Sequence, residues 1–314
     1  MPYHTNEQLV TGLERSAERA GSRARLSQVG ESVDGQPILA VTVAGPARLP
    51  DPSRAQVLLT ANIHGNEVIT SEVALGALDW LTADELRPEA LALLDLADAT
   101  IVPAVNPDGR RRPAQALHSG TPMLQVGRGN GRGVDLNRNF PYPADARDAW
   151  HPLSGTGVSW LPWYRGDAPL SEPESRALAK LAEQRRFRAA LHLHSVGRLF
   201  LYPYCYTDRQ PADLPAFLAM GDAFLAARTG PDYVVKQSRT WYAILGDLDD
   251  WMYDALGTLS ATVEVSTPLA GVGSNPLRLL DSLMWMNPRD PTSSVHNNVP
   301  ACLAALAEGV RQKS

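Results

Sequence analysis

His64 and Glu67 stand as H-x-x-E just after an unbroken apolar run, Gln56 to Ile63. A neutral imidazole and a carboxylate three positions apart in a turn can reach one ion, and zinc favours such nitrogen and oxygen donors. A catalytic metal site needs a third protein ligand and one open position. The stretch Leu191-His-Leu-His-Ser195 offers it, because the period of two in a strand puts His192 and His194 on one face. Either could ligate. His194, nearer the strand end and followed by Ser195, is better placed for an open cleft, and the other then becomes a core or supporting residue. His4, His118, His151 and His296 have no comparable setting and read as surface or loop histidines.

A hydrolase built on such an ion also needs a carboxylate that is not a ligand, to take the proton from water. Glu264 is the candidate, in an apolar strand from Leu259 to Ser266 where a charge is costly unless it has a task. A glutamate paired with a nearby arginine is the competing reading. In Gly133-Val-Asp-Leu-Asn-Arg-Asn-Phe140, Asn137 and Arg138 stand side by side. Arginine grips a carboxylate with a planar fork and asparagine adds a neutral donor, which suits recognition of a peptide's terminal carboxylate. A structural arginine bridging two loops would give the same pattern.

These residues need strands and loops to present them. Asn6 to Arg19 has helical spacing, with Thr5 as a cap. Arg25 to Ser32 and Pro37 to Ala44 read as a hairpin turning at Asp34-Gly35, both turn positions at positive φ. Gln56 to Ile63, Ala99 to Val105, Ala189 to His194, Leu199 to Pro203 and Leu259 to Val265 read as strands. Helices are expected over Val68–Leu81, Ser171–Arg186 (with Ser171 and Glu174 as a capping box), Leu214–Arg228, Asp247–Leu256 and Val299–Arg311. Arg110 to Arg132 and Tyr142 to Ser171 read as long loops, the second carrying Trp150, Trp160 and Trp163 and expected to rim a cleft. Strands and helices alternate with no composition shift. That predicts one α/β domain over 1–314, with a mixed, mostly parallel central sheet flanked by helices and no pro-domain.

The 314 residues are 44% hydrophobic, enough for a large core, and carry a net charge of -5. Basic residues are dispersed except at Arg110, Arg111 and Arg112, which reads as a solvated loop, so no nucleic-acid footprint is expected. No segment has the roughly 20 apolar residues of a membrane span, and the polar N-terminus lacks the apolar core of a secretory signal. Cys205 and Cys302 make neither a zinc-finger spacing nor a disulfide framework. Together these point to a cytoplasmic protein acting on neither membrane nor nucleic acid.

Taken in order along the chain, the motifs resemble the zinc carboxypeptidase (funnelin) family that includes the pancreatic carboxypeptidases. They are Val29-Gly-Glu-Ser-Val-Asp-Gly-Gln-Pro37, His64-Gly-Asn-Glu67, Asn106-Pro-Asp-Gly109, the Gly133–Phe140 segment, Ser171-Glu-Pro-Glu174, His194-Ser195 leading into Leu201-Tyr-Pro-Tyr204, and Thr262-Val-Glu-Val265. The resemblance implies one Zn2+ per chain held by His64, Glu67 and His194, with Glu264 as general base. It implies that Asn137 and Arg138 hold the substrate's terminal carboxylate and that Tyr242, nine residues before Trp251, closes over it. Arg128 matches the arginine that polarises the scissile carbonyl, with Arg132 close by as the alternative. The position seven after the mobile tyrosine floors the specificity pocket in the family, and here it is Asp249, which implies a basic or amine-bearing terminal residue.

The implied reaction is hydrolysis of the C-terminal peptide bond by a zinc-activated water, with Glu264 accepting the proton and returning it to the leaving amine. The substrate class is a peptide or small amide with a free carboxylate. A murein peptide amidase, trimming cell-wall peptides that carry diaminopimelate, falls within this class. A zinc amidohydrolase of small N-acyl amino acids, similar to aspartoacylase and succinylglutamate desuccinylase, shares H-x-x-E and an Asn-Arg pair. The Asn106–Gly109 turn, the Tyr-Pro-Tyr stretch and Tyr242 favour the peptidase branch. A binding module descended from such an enzyme would lack a ligand or the base, and none is missing.

Overall fold

The computed structural model describes residues 3–123, 127–146 and 153–313, so Trp150 and His151 lie outside the described residues. The strands are β1 (Ala24–Glu31), β2 (Pro37–Val43), β3 (Gln56–Ala61), β4 (Asp98–Val102), β5 (Ala189–His194), β6 (Leu199–Tyr202), β7 (Val234–Gln237) and β8 (Leu259–Glu264). They form one sheet in the order β1-β2-β4-β3-β5-β8-β6-β7. Its centre is parallel, from β4 through β3 and β5 to β8, and β6 pairs parallel with β7. The β1–β2, β2–β4 and β6–β8 pairs are antiparallel. The sheet is therefore mixed and mostly parallel, as the alternation of elements implied.

The helices are α1 (Asn6–Ala20), α2 (Ile69–Thr82), α3 (Pro88–Leu96), α4 (Pro107–Ser119), α5 (Pro173–Arg185), α6 (Leu214–Ala227), α7 (Leu248–Leu256), α8 (Leu283–Met286) and α9 (Thr292–Gln312). No helix among the described residues is long and apolar enough to cross a membrane. Successive residues of the central strands feed opposite cores, as the strand period requires. Val57, Leu59 and Ala61 of β3 join residues of α1, α2, α3, α6 and α9 in one core, while Leu58 and Ala190 join α5 and α7 in the other. Both faces are covered, which is why these strands are continuous apolar runs without alternation.

Thr5 caps α1 as expected, and with Gln8 it completes a capping box. At the hairpin turn only Gly35 takes a positive φ, +74°, so the expectation of two positive-φ positions is corrected. The Ser171–Glu174 capping box does not form either. Glu172 is the cap residue of α5, Ser171 donates to its Oε1 at 2.8 Å, and Glu174 accepts from the Val33 backbone N–H at 3.0 Å. A long-range partner has taken the carboxylate that a local motif predicted.

The largest difference is α4, a helix where the sequence reads as loop. Gly109 and Pro113 depress its propensity. The Asn106 side chain caps it by accepting from Gly109 N–H at 2.8 Å, and Pro107 occupies the first turn. Arg110 then nails it down: its guanidinium donates to Ser71 Oγ, Asn6 Oδ1 and the His4 carbonyl at 3.0, 2.8 and 2.9 Å. Arg110 is thus fully buried while Arg111 and Arg112 are exposed, and the run is no uniform solvated patch.

Candidate active site

Parallel strands deliver their carboxy ends to one edge of a sheet, and side chains just beyond them converge there. β3 runs out into His64 and Glu67, β5 ends at His194, and β8 ends at Glu264, directly opposite His194 in the register. The loop carrying His64 is held against the start of α4 by backbone packing. A Cβ on Gly65 would lie 2.4 Å from the Gly109 carbonyl, and Gly65 N–H donates to the Arg128 carbonyl at 2.9 Å.

Ligand atoms of His64, Glu67 and His194 lie within 4.8 Å of one another, all three residues buried. His64 Nδ1 is 2.9 Å from Glu67 Oε1, and His194 Nδ1 is 3.2 Å from both His64 Nδ1 and Glu67 Oε2. Neighbouring ligands of a tetrahedral zinc stand about 3.4 Å apart, so this set needs little adjustment to hold one ion. The Ser195 N–H steadies Glu67 Oε2 at 3.1 Å. Burial opposes ionisation of Glu67, but the two imidazoles hold its carboxyl well below the usual range.

Asp135 is a residue whose role the sequence reading missed. Its Oδ1 lies 3.1 Å from His64 Nε2, the nitrogen facing away from the cluster. A metal held at Nδ1 would leave the imidazole proton on Nε2, where it donates a hydrogen bond to Asp135. Arg128 Nη2 is 2.6 Å from the same nitrogen, and Arg128 Nε is 2.9 Å from Asp135 Oδ2. A guanidinium only donates, so its partner here is Asp135 Oδ2, while His64 uses Oδ1. Burial works against the Arg128 cation, yet Asp135 holds its pKa above the ordinary value. The signal for Asp135 was present in the acidic residue two before Asn137, inside a motif already singled out for other reasons.

Glu264 is buried in the same cavity wall with Oε2 lacking any partner among the described residues. Burial, then repulsion from Glu67, raises its carboxyl well above the usual range. An orphaned carboxylate oxygen beside a donor set of two imidazoles and one carboxylate fits a metal with a water between them. The residues present therefore suit zinc. His192 is not part of this set. Its Nδ1 meets Thr60 Oγ1 at 2.6 Å and its Nε2 meets Ser260 Oγ at 2.9 Å, and burial holds it neutral, with its pKa lowered to about 3.

The cavity, about 200 Å³, is lined by the four residues above together with Arg128, Asn137, Tyr242, Asp247, Thr262, Cys205 and others. Arg128 lines it, whereas Arg132 is exposed and faces Glu172 at 3.9 Å, which separates the two candidate arginines. Tyr242 is at the wall, its ring edge-on to Trp241 at 5.0 Å, and burial raises its phenol. Trp160 and Trp163 do not line this cavity, and Trp160 is 82% exposed.

Two substrate-site expectations are altered. Asn137 lines the cavity, with Nδ2 donating to Asp247 Oδ1 at 2.7 Å and Oδ1 accepting from Leu248 N–H at 3.1 Å. Arg138 is absent from the wall: Nε and Nη2 donate to the Leu153 carbonyl at 3.0 and 2.9 Å, and Nη1 donates to the Asn137 carbonyl. Both residues sit on one turn of 3-10 helix, Leu136–Arg138, where successive side chains diverge by about 120°. Adjacency in sequence therefore does not make a shared face. Asp249 is likewise not at the wall. It lies one layer beneath, accepting from Ser260 Oγ at 2.7 Å and from the Thr262 hydroxyl, and it is Thr262 that lines the cavity. Burial and the neighbouring Asp247 raise its carboxyl well above the usual range.

Human carboxypeptidase Z is 26% identical over 295 residues, which cover 84% of this chain and 44% of that protein. Carboxypeptidase E of Caenorhabditis elegans is 25% identical, covering 87% of this chain and 64% of that protein. The chain thus spans less than two thirds of the length of these relatives. The structure of carboxypeptidase A from Helicoverpa armigera superposes with a TM-score of 0.73 at 22% identity, over 99% of this chain and 73% of that one, which establishes a common fold. The sequence profile described as zinc carboxypeptidase matches residues 9–271, and with that match the chain belongs to the zinc carboxypeptidase family.

Proposed function

We propose that the protein is a metallocarboxypeptidase that hydrolyses the last peptide bond of substrates with a free terminal carboxylate. The observation that carries this reading is the convergence of His64, Glu67 and His194 on one point, with the partnerless Oε2 of Glu264 on the same cavity. Zinc held by those three residues would supply Lewis acidity and lower the pKa of water. Glu264 accepts the proton of the attacking water and returns it to the leaving amine; its desolvated position makes it a stronger base than a free carboxylate. Arg128, at the wall beside His64, donates to the carbonyl oxygen as negative charge develops there. Asp135 holds both His64 and Arg128, so one carboxylate orients the ligand and the electrophile together.

The terminal carboxylate is read by Asn137 and Arg138. Arg138 is a fully buried cation whose nearest carboxylate among the described residues is Asp135 at 3.9 Å, its hydrogen bonds going to backbone carbonyls. A buried guanidinium without a close counter-ion favours an incoming carboxylate, which would exchange with the Leu153 carbonyl. Tyr242 covers the bound end. Asp249, which no lysine or arginine of the described residues approaches, supports a preference for a basic or amine-bearing terminal side chain received at Thr262.

The test is release of free amino acids from peptides that differ only in the last residue, each as free acid and as amide, with and without chelator. Chelator-sensitive release that requires the free carboxylate is expected. Release from amidated peptides, or none from any peptide by protein holding one zinc per chain, would overturn the reading. The second of these results would move the activity to small N-acyl amino acids.

A further inference from the structure

Beneath the cavity wall lies a buried polar group that the reaction does not use. It joins Asp249 of α7 to Ser260 and Thr262 of β8, His192 of β5 and Thr60 of β3. The sheet places it: Thr60 is level with His192, and His192 with Thr262, across three parallel strands. Side chains level in adjacent strands point to the same face, and Ser260, two before Thr262, shares it.

The distances form a chain. Thr60 Oγ1 is 2.6 Å from His192 Nδ1, and His192 Nε2 is 2.9 Å from Ser260 Oγ and 3.5 Å from Asp249 Oδ1. Ser260 Oγ donates to Asp249 Oδ1 at 2.7 Å, and the Thr262 hydroxyl donates to Oδ2. A cationic side chain received at Thr262 would favour the ionised form of Asp249, which only accepts, so Ser260 spends its one proton on it. The Ser260 oxygen then accepts from His192 Nε2–H, and His192 Nδ1 accepts from Thr60. Every donor runs towards Asp249. A neutral imidazole in the Nε2–H form fits both ends, whereas an apolar residue of similar size would leave the Ser260 oxygen without its donor.

We propose that His192 is a positioning residue for substrate recognition: acting through Ser260, it holds the Asp249 carboxylate behind Thr262 so that a cationic terminal side chain is received there. This rests on the basic-residue reading above. The chain's work is orientation. A carboxylate fixed by donors on both oxygens presents its charge in one place, and preference between side chains then depends on how firmly it is fixed.

The experiment compares kcat/KM for two peptides identical except for a terminal Lys or Leu. It uses zinc-loaded wild type and the variants Asp249→Asn, His192→Phe, His192→Gln and Ser260→Ala. The wild type is expected to prefer Lys, and Asp249→Asn to abolish the preference. His192→Phe and Ser260→Ala should each lower the Lys-to-Leu ratio about tenfold, chiefly through KM for the Lys peptide rather than kcat. His192→Gln, whose amide can donate to Ser260, should restore most of it. If His192→Phe does not fold, Ser260→Ala reads the same bridge. A ratio lost in Asp249→Asn but kept in His192→Phe and Ser260→Ala would overturn the role of His192 and leave the basic-residue reading standing. A wild type without Lys preference, unaltered by Asp249→Asn, would remove that reading and this inference with it.

Discussion

Glu264 shows how one side chain can be costly for folding and useful for chemistry. Its Oε2 has no partner, and it lies near Glu67 in a buried cavity. Replacing it with Gln keeps the shape and removes the base. Peptide hydrolysis should fall by about 10²–10⁴, the usual contribution of a positioned general base, while zinc content measured on the purified protein stays at one per chain. The same variant, stripped of metal, should melt higher than metal-free wild type at pH 7.5, because a buried charge has been removed. Loss of bound zinc in Glu264→Gln would make Glu264 a ligand. A lower melting temperature of the metal-free variant would mean that the carboxylate is paired after all.

At the scale of elements, the metal cluster depends on backbones that touch. Gly65 lets the loop after β3 pack on Gly109 at the head of α4, with room for no side chain between them. Gly65→Ala must push His64 and Glu67 away from His194. It should cost about 2–3 kcal/mol of stability, within the range for a buried clash, and weaken zinc retention at least tenfold, read by competition with a chelating dye. Retention at the wild-type level would mean that the loop relaxes without moving the ligands. α4 also shows where local reading fails. Richness in Gly and Arg argued for a loop, and the Arg110 bonds to Ser71, Asn6 and His4, contacts between residues 39 to 106 positions apart, made it a helix.

For the whole molecule, the clustered acids predict how metal-free stability varies with pH. Glu264, Asp249 and Asp250 all have carboxyls raised well above the unfolded value, chiefly by burial. Their stabilising contribution is complete below about pH 4 and is lost as pH rises through their folded values. Glu67 and Asp135 are lowered, so their contribution is present above about pH 4 and is lost only in stronger acid. His192, lowered to about 3, opposes the trend below about pH 6.5, and His4, raised by its bond to Glu72, reinforces it. The balance is a metal-free protein whose melting temperature is higher at pH 5.5 than at pH 7.5. A flat or rising profile would contradict this arrangement of charges. Zinc should reverse the slope, since its binding favours deprotonated ligands.

The chain's motifs in order carried the family resemblance, and the sequence by itself determined the mixed and mostly parallel sheet, the His64–Glu67 pair and the apolar strand around Glu264. These are encoded in spacing and periodicity, which survive without knowing what packs on what. Tertiary structure brought His194 rather than His192 to the donor cluster and Arg128 rather than Arg132 to the cavity wall. It also gave Asp135 its task, turned Arg138 towards Leu153, and set Asp249 behind Thr262. Each of those outcomes turns on which way a side chain points once its element is docked. Direction across three strands and two loops is a long-range quantity, fixed by partners that no local pattern records.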